Sequence, residues 1–245
     1  MILNAEHHER MERQGYCVLE RVFSHVDMDS LARSIERYQE EHQRQIALQG
    51  GTAGISRADE ITFTSHLAEK DPDIMRFCRR PELIDITTSL LGPDVDLYWN
   101  QSVYKMPEGI REFPWHQDDG YTPVFPTPYL TLWLAINDAT LQNGCISVLP
   151  GSHKEGLLPH VSTPLGLTCH DNDHHDQGEK VPVSAGSLAA FWSLTAHKSG
   201  PNSSDSVRKA YIIQYSKSGL VSLRTGEVIE AVTPIARDGI AVAAA

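Results

Sequence analysis

The chain has 245 residues, 40% hydrophobic and 22% charged, with 32 acidic against 21 basic side chains and a formal net charge of −11. That length suits one large β-barrel or sandwich, and the acidic balance argues against nucleic acid as a partner. No stretch approaches the roughly 18 apolar residues of a membrane span, and the opening MILNAEHHERMERQGY lacks a cationic start followed by an apolar run, so the expectation is a cytoplasmic monomer or homodimer without membrane partners.

In chain order, a short apolar stretch from Tyr16 to Phe23 precedes a helix that Ser24 or Asp27 is placed to cap, with Leu31, Ile35 and Tyr38 on one face. GGTAGISRADE is glycine-rich and polar and reads as a lid or a plain surface loop. A second helical stretch carries Ile74, Phe77, Leu83, Ile86 and Leu90 and stops at Gly92-Pro93. From Asp94 the pattern changes to strands: DVDLYWNQSVYKM, YLTLWLAIND, CISVLP, GSLAAFW and VRKAYIIQYS, separated by Pro, Gly and Asn. The chain 1–245 is therefore expected to form a single domain, mainly β with flanking helices, its helical part at about 1–93 and its barrel or sandwich core at about 94–216. CHDNDHHDQGE reads as a polar insertion and ARDGIAVAAA as a loosely constrained tail. Cys17, Cys78, Cys145 and Cys169 lie far apart without a Cys-x-x-Cys pair, which predicts reduced thiols, several of them buried.

Chemistry concentrates at His116 and Asp118 in WHQDDGY, His197 in TAHKSGPN and Arg208 in SVRKAYIIQYS. Two histidines and one carboxylate are the ligand set of a mononuclear non-haem Fe(II) centre, which leaves coordination positions open. The dyad alone says little, because the chain has 12 histidines and the same spacing recurs at His7/Glu9, His25/Asp27, His153/Glu155 and His174/Asp176. Context separates His116/Asp118: flanking strands and an extended backbone would turn residues i and i+2 to one side. Likewise Ser199 shares a face with His197, and Arg208 shares one with Ala210, Ile212 and Gln214, opposite Lys209, Tyr211, Ile213 and Tyr215. The competing readings are hydrogen-bonded strand-end histidines with a surface arginine, and a zinc cluster at His170, His174 and His175.

The ordered series NQSVYKMP, WHQDDGY, LWLAIND, NGCISVLPGSHK and HKSGPNSSDSVRKAYIIQY resembles the phytanoyl-CoA dioxygenase family of Fe(II)- and 2-oxoglutarate-dependent oxygenases. The resemblance covers most of the chain and implies a double-stranded β-helix, a cupin-like jelly-roll barrel with helices packed outside. It implies His116, Asp118 and His197 as iron ligands and catalytic centre, with Arg208 and Ser199 holding the distal carboxylate of 2-oxoglutarate. Trp133 stands where an aromatic often flanks the co-substrate, against the alternative of a core ring. Lys105 is a further co-substrate candidate, and Gln101, Tyr121 and Phe125 are substrate candidates; for Lys105 and Gln101 the alternative is a strand-edge polar residue. His153 in PGSHK reads as structural.

Relatives that halogenate aliphatic carbon replace the carboxylate ligand with a small residue, whereas this chain keeps Asp118. The implied reaction consumes Fe(II)-bound 2-oxoglutarate and O2, oxidises a C–H bond of a small-molecule substrate, most simply by hydroxylation, and releases succinate and CO2. Secondary metabolism is one setting for it. Two other classes fit a jelly roll: a non-redox metal- or small-molecule-binding protein, and a cupin-like dioxygenase that needs no keto acid and has no use for Arg208. Substrate choice is expected in the segments 50–63, 120–128 and 157–179.

Overall fold

Local signals set the helices of the computed structural model, which describes residues 2–107, 109, 111–169 and 178–243. Helix α1 (Ala5–Gln14) ends at Gly15 in the left-handed region and leads into strand β1 (Tyr16–Leu19). Ser24 and Asp27 form a reciprocal capping box that starts α2 (His25–Leu48). Next come β2 (Thr52–Ala53), β3 (Ser56–Arg57) and β4 (Ile61–Ser65). Asp71 caps α3 (Pro72–Cys78), and Pro81 opens a separate α4 (Pro81–Leu91).

The remaining chain is nearly all strand. It runs through β5 (Val95–Lys105), β6 (Phe113–His116), the short helix α5 (Asp118–Tyr121), β7 (Val124–Phe125), β8 (Leu130–Ala135) and β9 (Ile146–Val148). It continues through β10 (Val161–Thr163), β11 (Gly166–Thr168), β12 (Glu179–Val181), β13 (Leu188–Trp192) and β14 (His197–Ser199). It closes with β15 (Arg208–Lys217), β16 (Val221–Ser222), β17 (Thr233–Arg237) and β18 (Ile240–Ala241).

Two antiparallel sheets make the barrel. The larger runs β1-β13-β8-β15-β5-β4-β3-β2, with β17 also on β5, and the smaller runs β12-β9-β14-β6. Alternation along each strand sorts the side chains. On β8 and β15, Leu130, Leu132, Leu134, Tyr211, Ile213 and Tyr215 face a core completed by Leu31 and Ile35 of α2 and by Ile74, Leu83 and Ile86 of α3 and α4. The opposite residues Trp133, Ala135, Ala210 and Ile212 face Ile146, Val148 and Val181 of the smaller sheet. The fold is thus a jelly roll with helices on the outer face of its larger sheet. No helix among the described residues is long and apolar enough to cross a membrane.

Three expectations change. The stretch before residue 94 is not helical throughout: β1 pairs with β13, and the glycine-rich segment read as a loop or lid forms the β2–β3 hairpin, which with β4 extends the sheet at β5. At two residues each, β2 and β3 are too short to show a period of two. The barrel does not end near 216, because β17 pairs with β5 and β18 with β17, so Ala236, Arg237, Ile240 and Ala241 of the supposed tail are strand. The helical stretch after residue 70 breaks at Arg79-Arg80, since Pro81 cannot donate to a continuing helix. Cys17, Cys78, Cys145 and Cys169 are free thiols, the first three buried.

One turn is sterically committed. Gly186 has φ +80°, donates to the Ala135 carbonyl at 2.8 Å and accepts from the Phe23 amide at 3.0 Å. A Cβ there would lie 2.0 Å from the Phe23 carbonyl oxygen. Gly186→Ala is expected to destabilise the fold by roughly 2–4 kcal/mol, through backbone strain plus overpacking, read as a lower urea midpoint with an unchanged slope.

Candidate active site

Strands β6 and β14 are neighbours in the smaller sheet, and their register sets His116 directly opposite His197, with ring centroids 4.1 Å apart. Each ring bonds through Nδ1 to the carbonyl two residues earlier, His116 to Pro114 at 2.8 Å and His197 to Thr195 at 3.0 Å. A carbonyl only accepts, so Nδ1 carries the proton, and a neutral ring then presents a bare Nε2 to the interior. Burial, reinforced by neighbouring His197, holds His116 well below its ordinary pKa and therefore neutral.

Gln117 is extended (φ −109°, ψ 140°), and Asp118 opens α5 immediately after it. The shared side expected for His116 and Asp118 is thus real, although it comes from a strand-to-helix junction rather than a continuous strand. Asp118 Oδ1 lies 3.7 Å from Nε2 of both histidines, and the three donor atoms fall within 4.8 Å of one another. Oδ2 is occupied: it accepts from Thr131 Oγ1 at 2.6 Å and from Gln214 Nε2 at 2.9 Å, two ladder partners on β8 and β15. One oxygen is fixed and the other is presented between two bare imidazole nitrogens. This donor set fits Fe(II) as a facial triad.

Arg208 opens β15 and is almost completely buried, and none of its three guanidinium nitrogens has a hydrogen-bond partner among the described residues. Its Cζ lies 5.1 Å from the centre of the Trp133 ring. Burial lowers its pKa from 12.5 to about 10, so it remains charged at neutral pH. A buried, unpaired planar fork is a demand for an anion, and a carboxylate fits it in bidentate fashion. Arg208, Ser199, Trp133, Gln101, Tyr121 and the triad all line one cavity of about 380 Å³ between the sheets, toward the small end of the roughly 300–1,000 Å³ usual for ligand sites.

Two expected site residues lie elsewhere. Lys105 is the ladder partner of Arg208, but its ammonium donates to the backbone carbonyls of Ser199 (3.0 Å) and Gly200, pinning the end of β14 instead of lining the cavity. Burial, and then the charge of Arg208, holds the Lys105 pKa well below its ordinary value. Phe125 is 60% exposed on β7, outside the cavity, because the short β7–β16 pairing turns it to solvent. Tyr121 does line the cavity, its hydroxyl accepting from the Leu167 amide at 2.9 Å. His153 is structural, its Nε2 3.1 Å from the Glu12 carbonyl. His170, His174 and His175 lie outside the described residues.

Sequence reading missed the supports. Gln117 is fully buried, donates to the carbonyls of Gly156 (2.9 Å) and Leu194 (2.7 Å) and accepts from the Leu158 amide (2.8 Å), bracing the junction between two triad members. A glutamine between two candidate ligands was the available signal. Thr131 carried none, since its role depends on a contact between distant segments. The bulge in β5 opposite Gln214 and Tyr215 leaves Tyr98 outside the ladder, so Tyr98 and Trp99 both line the cavity.

The model of the family described as phytanoyl-CoA dioxygenase (PhyH) matches residues 11–210. The chain is 25% identical to the peroxisomal phytanoyl-CoA dioxygenase of Bos taurus, over 85% of this chain and 67% of that one. It is 24% identical to a probable alpha-ketoglutarate-dependent hypophosphite dioxygenase of Stutzerimonas stutzeri, over 86% and 78% of the two chains. Among solved structures, the non-haem alpha-ketoglutarate-dependent carbocyclase SnoK from nogalamycin biosynthesis shares the fold, with a TM-score of 0.75 at 22% identity over 95% and 96% of the two chains.

Two outcomes follow from the geometry. Gln214→Leu and Thr131→Val each remove one of the two donors to Asp118 Oδ2 and are expected to weaken divalent-metal binding about 10- to 100-fold, measured by Co(II) titration; unchanged affinity in both would contradict the orienting role. Arg208→Met removes an uncompensated buried cation. The folded pKa of Arg208 lies below its ordinary 12.5, so the charged form opposes folding at neutral pH, and that penalty lifts only as pH rises through about 10. The ligand-free variant is therefore expected to melt higher than wild type, by the equivalent of about 1–3 kcal/mol.

Proposed function

The chain belongs to the phytanoyl-CoA dioxygenase family, and on that premise we propose that it hydroxylates an unactivated C–H bond of a small-molecule metabolite, in secondary metabolism, at the cavity between its sheets. It is a 2-oxoglutarate-dependent non-haem iron oxygenase. The observation that carries the residue assignments is the unpartnered Arg208 guanidinium, buried in the same cavity as the His116, Asp118 and His197 donor set. A non-redox metal site has no need of such a fork, nor has a dioxygenase that uses no keto acid. The two matched relatives are named for an acyl thioester and for a small phosphorus anion, so membership alone does not select the substrate.

In this reading His116, Asp118 and His197 hold the metal. Arg208 takes the distal carboxylate of 2-oxoglutarate, with Ser199 beside it on β14 and the Trp133 ring against the guanidinium. Fe(II), 2-oxoglutarate and O2 together supply the oxidising power when bound. The balance is substrate C–H plus 2-oxoglutarate plus O2 giving substrate C–OH, succinate and CO2, with one oxygen atom entering each organic product.

The protein's share is positioning and exclusion of water. Thr131 and Gln214 keep Asp118 Oδ2 occupied, so the carboxylate presents Oδ1. The Nδ1 bonds to Pro114 and Thr195 stop both rings from rotating. Lys105 donates to the Ser199 and Gly200 carbonyls and so fixes the end of the strand that carries His197 and Ser199. The retained Asp118 carboxylate favours hydroxylation over halogenation, which in relatives accompanies its loss.

His116→Ala and Asp118→Ala are expected to abolish substrate-dependent succinate release. Arg208→Ala is expected to raise the KM for 2-oxoglutarate on the order of 100-fold, as for loss of one partner of a buried charge pair, with Arg208→Lys intermediate. Undiminished turnover in the alanine variants would sink the assignment. Anaerobic mixing of wild type with Fe(II) and 2-oxoglutarate is expected to give the visible charge-transfer band of a chelated keto acid, absent in His116→Ala.

A further inference from the structure

The cavity wall away from the triad and Arg208 is apolar and aromatic. Ile55, Ile61 and Phe63 come from the β2–β4 edge, Trp99 from β5, Phe113 from β6 and Tyr121 from α5, with the Phe63 and Phe113 rings 5.2 Å apart. The ionisable residues on the lining are His116, Asp118, His197, Arg208, three tyrosines and Lys198. The first four are assigned to iron and 2-oxoglutarate. The Lys198 ammonium is 3.0 Å from Glu112 and 5.5 Å from the Trp115 ring centre, on the opposite face of β14 from His197 and Ser199.

The cations near the mouth are likewise engaged. Arg57 donates to the carbonyls of Gly54, Ser56 and Pro164, Arg111 pairs with Glu60 at 2.6 Å, and Arg224 donates to the Gly120 carbonyl. Among the described residues the wall therefore holds no cation beyond Arg208 and the Glu112-paired Lys198, and no carboxylate beyond Asp118. A substrate bringing a formal charge into it would lose hydration without a partner, which costs several kcal/mol. Uncharged polar groups break the apolar wall, Thr122 and Gln101 among them. Gln101 lies between Trp99 and Val103 on the row of β5 that faces the cavity, and its side-chain amide has no hydrogen-bond partner among the described residues.

We propose that the substrate is an uncharged, largely apolar molecule of modest size whose hydroxyl or carbonyl group is engaged by Gln101. Free acids, amines, phosphate esters and coenzyme A thioesters are excluded. The inference rests on the oxygenase reading above and deepens it from reaction class to substrate class. The volume agrees, since about 380 Å³ must hold the co-substrate as well, leaving room for a compact skeleton of one to three rings.

Four probes sharing one skeleton test it: tetralin, 2-tetralone, 1,2,3,4-tetrahydro-2-naphthoate and the coenzyme A thioester of that acid. Each is titrated anaerobically into wild type carrying Fe(II) and 2-oxoglutarate, and the shift of the charge-transfer band gives the Kd. 2-Tetralone is expected to bind at least about tenfold more tightly than the carboxylate, about fivefold more tightly than tetralin, and to stimulate succinate release in air, while the thioester leaves the band unmoved. Carboxylate or thioester binding equal to or tighter than the ketone overturns the proposal. So does a band that neither neutral probe perturbs. Gln101→Leu is expected to erase the preference for ketone over tetralin, Gln101→Lys to admit the carboxylate, and a ketone preference surviving in both overturns the role given to Gln101. A band that never forms in wild type overturns the oxygenase reading and this inference together, whereas a normal band with the wrong probe order overturns this inference alone.

Discussion

The Arg208 guanidinium is held between the two sheets by the ladders of β15 with β5 and β8, with a tryptophan ring against it and no carboxylate of the described residues bonded to it. Keeping a cation there costs the folded chain about 1–3 kcal/mol, and the surrounding fold has to carry that cost. It does so with two apolar layers, one between the sheets and one between the larger sheet and the helices. The same deficit leaves the cavity in need of an anionic group, which a bound carboxylate would supply.

Labour is divided between the sheets. The smaller sheet supplies both histidines on paired strands, while the larger supplies Arg208, Thr131 and Gln214. Asp118 joins the two, for it follows β6 in the chain yet hydrogen-bonds to β8 and β15. The aspartate therefore reports on barrel closure. Its carboxylate reaches the working orientation only when both sheets have assembled, so metal affinity is a property of the whole tertiary structure and not of a local motif.

Sequence reading recovered what is carried by strong local signals. The helix start at Ser24 or Asp27, the long alternating strands at 95–105 and 208–217, and the opposed faces of Ala210/Ile212 and Tyr211/Ile213 all follow from periodicity and capping chemistry. Strands of two or three residues, such as β2, β3 and β18, were illegible because pairing with a partner, not their own composition, makes them strands. Within the site, the resemblance gave the triad and Arg208 by motif. Lys105 and Phe125 were misplaced for a shared reason: their positions in the chain were right, but a flexible ammonium chose nearby carbonyls and a two-residue strand turned its ring outward. Side-chain destinations of this kind depend on contacts between segments far apart in sequence.

The free edge of β5 is shared end to end by two segments, β4 along 101–105 and β17 along 95–97. Both attach to it through backbone hydrogen bonds, which any side chain tolerates. The β2–β4 flap that contributes Ile55, Ile61 and Phe63 to the wall is thus fastened by main chain to the sheet that does not bear the histidines. Ile55 and Ile61 are the positions freest to diverge in descent or to be exchanged in the laboratory, whereas Phe63 packs against Phe113 on the strand that carries His116. An ancestor with this architecture would be able to explore new molecules by rewriting one marginal hairpin while its oxidising centre stayed intact.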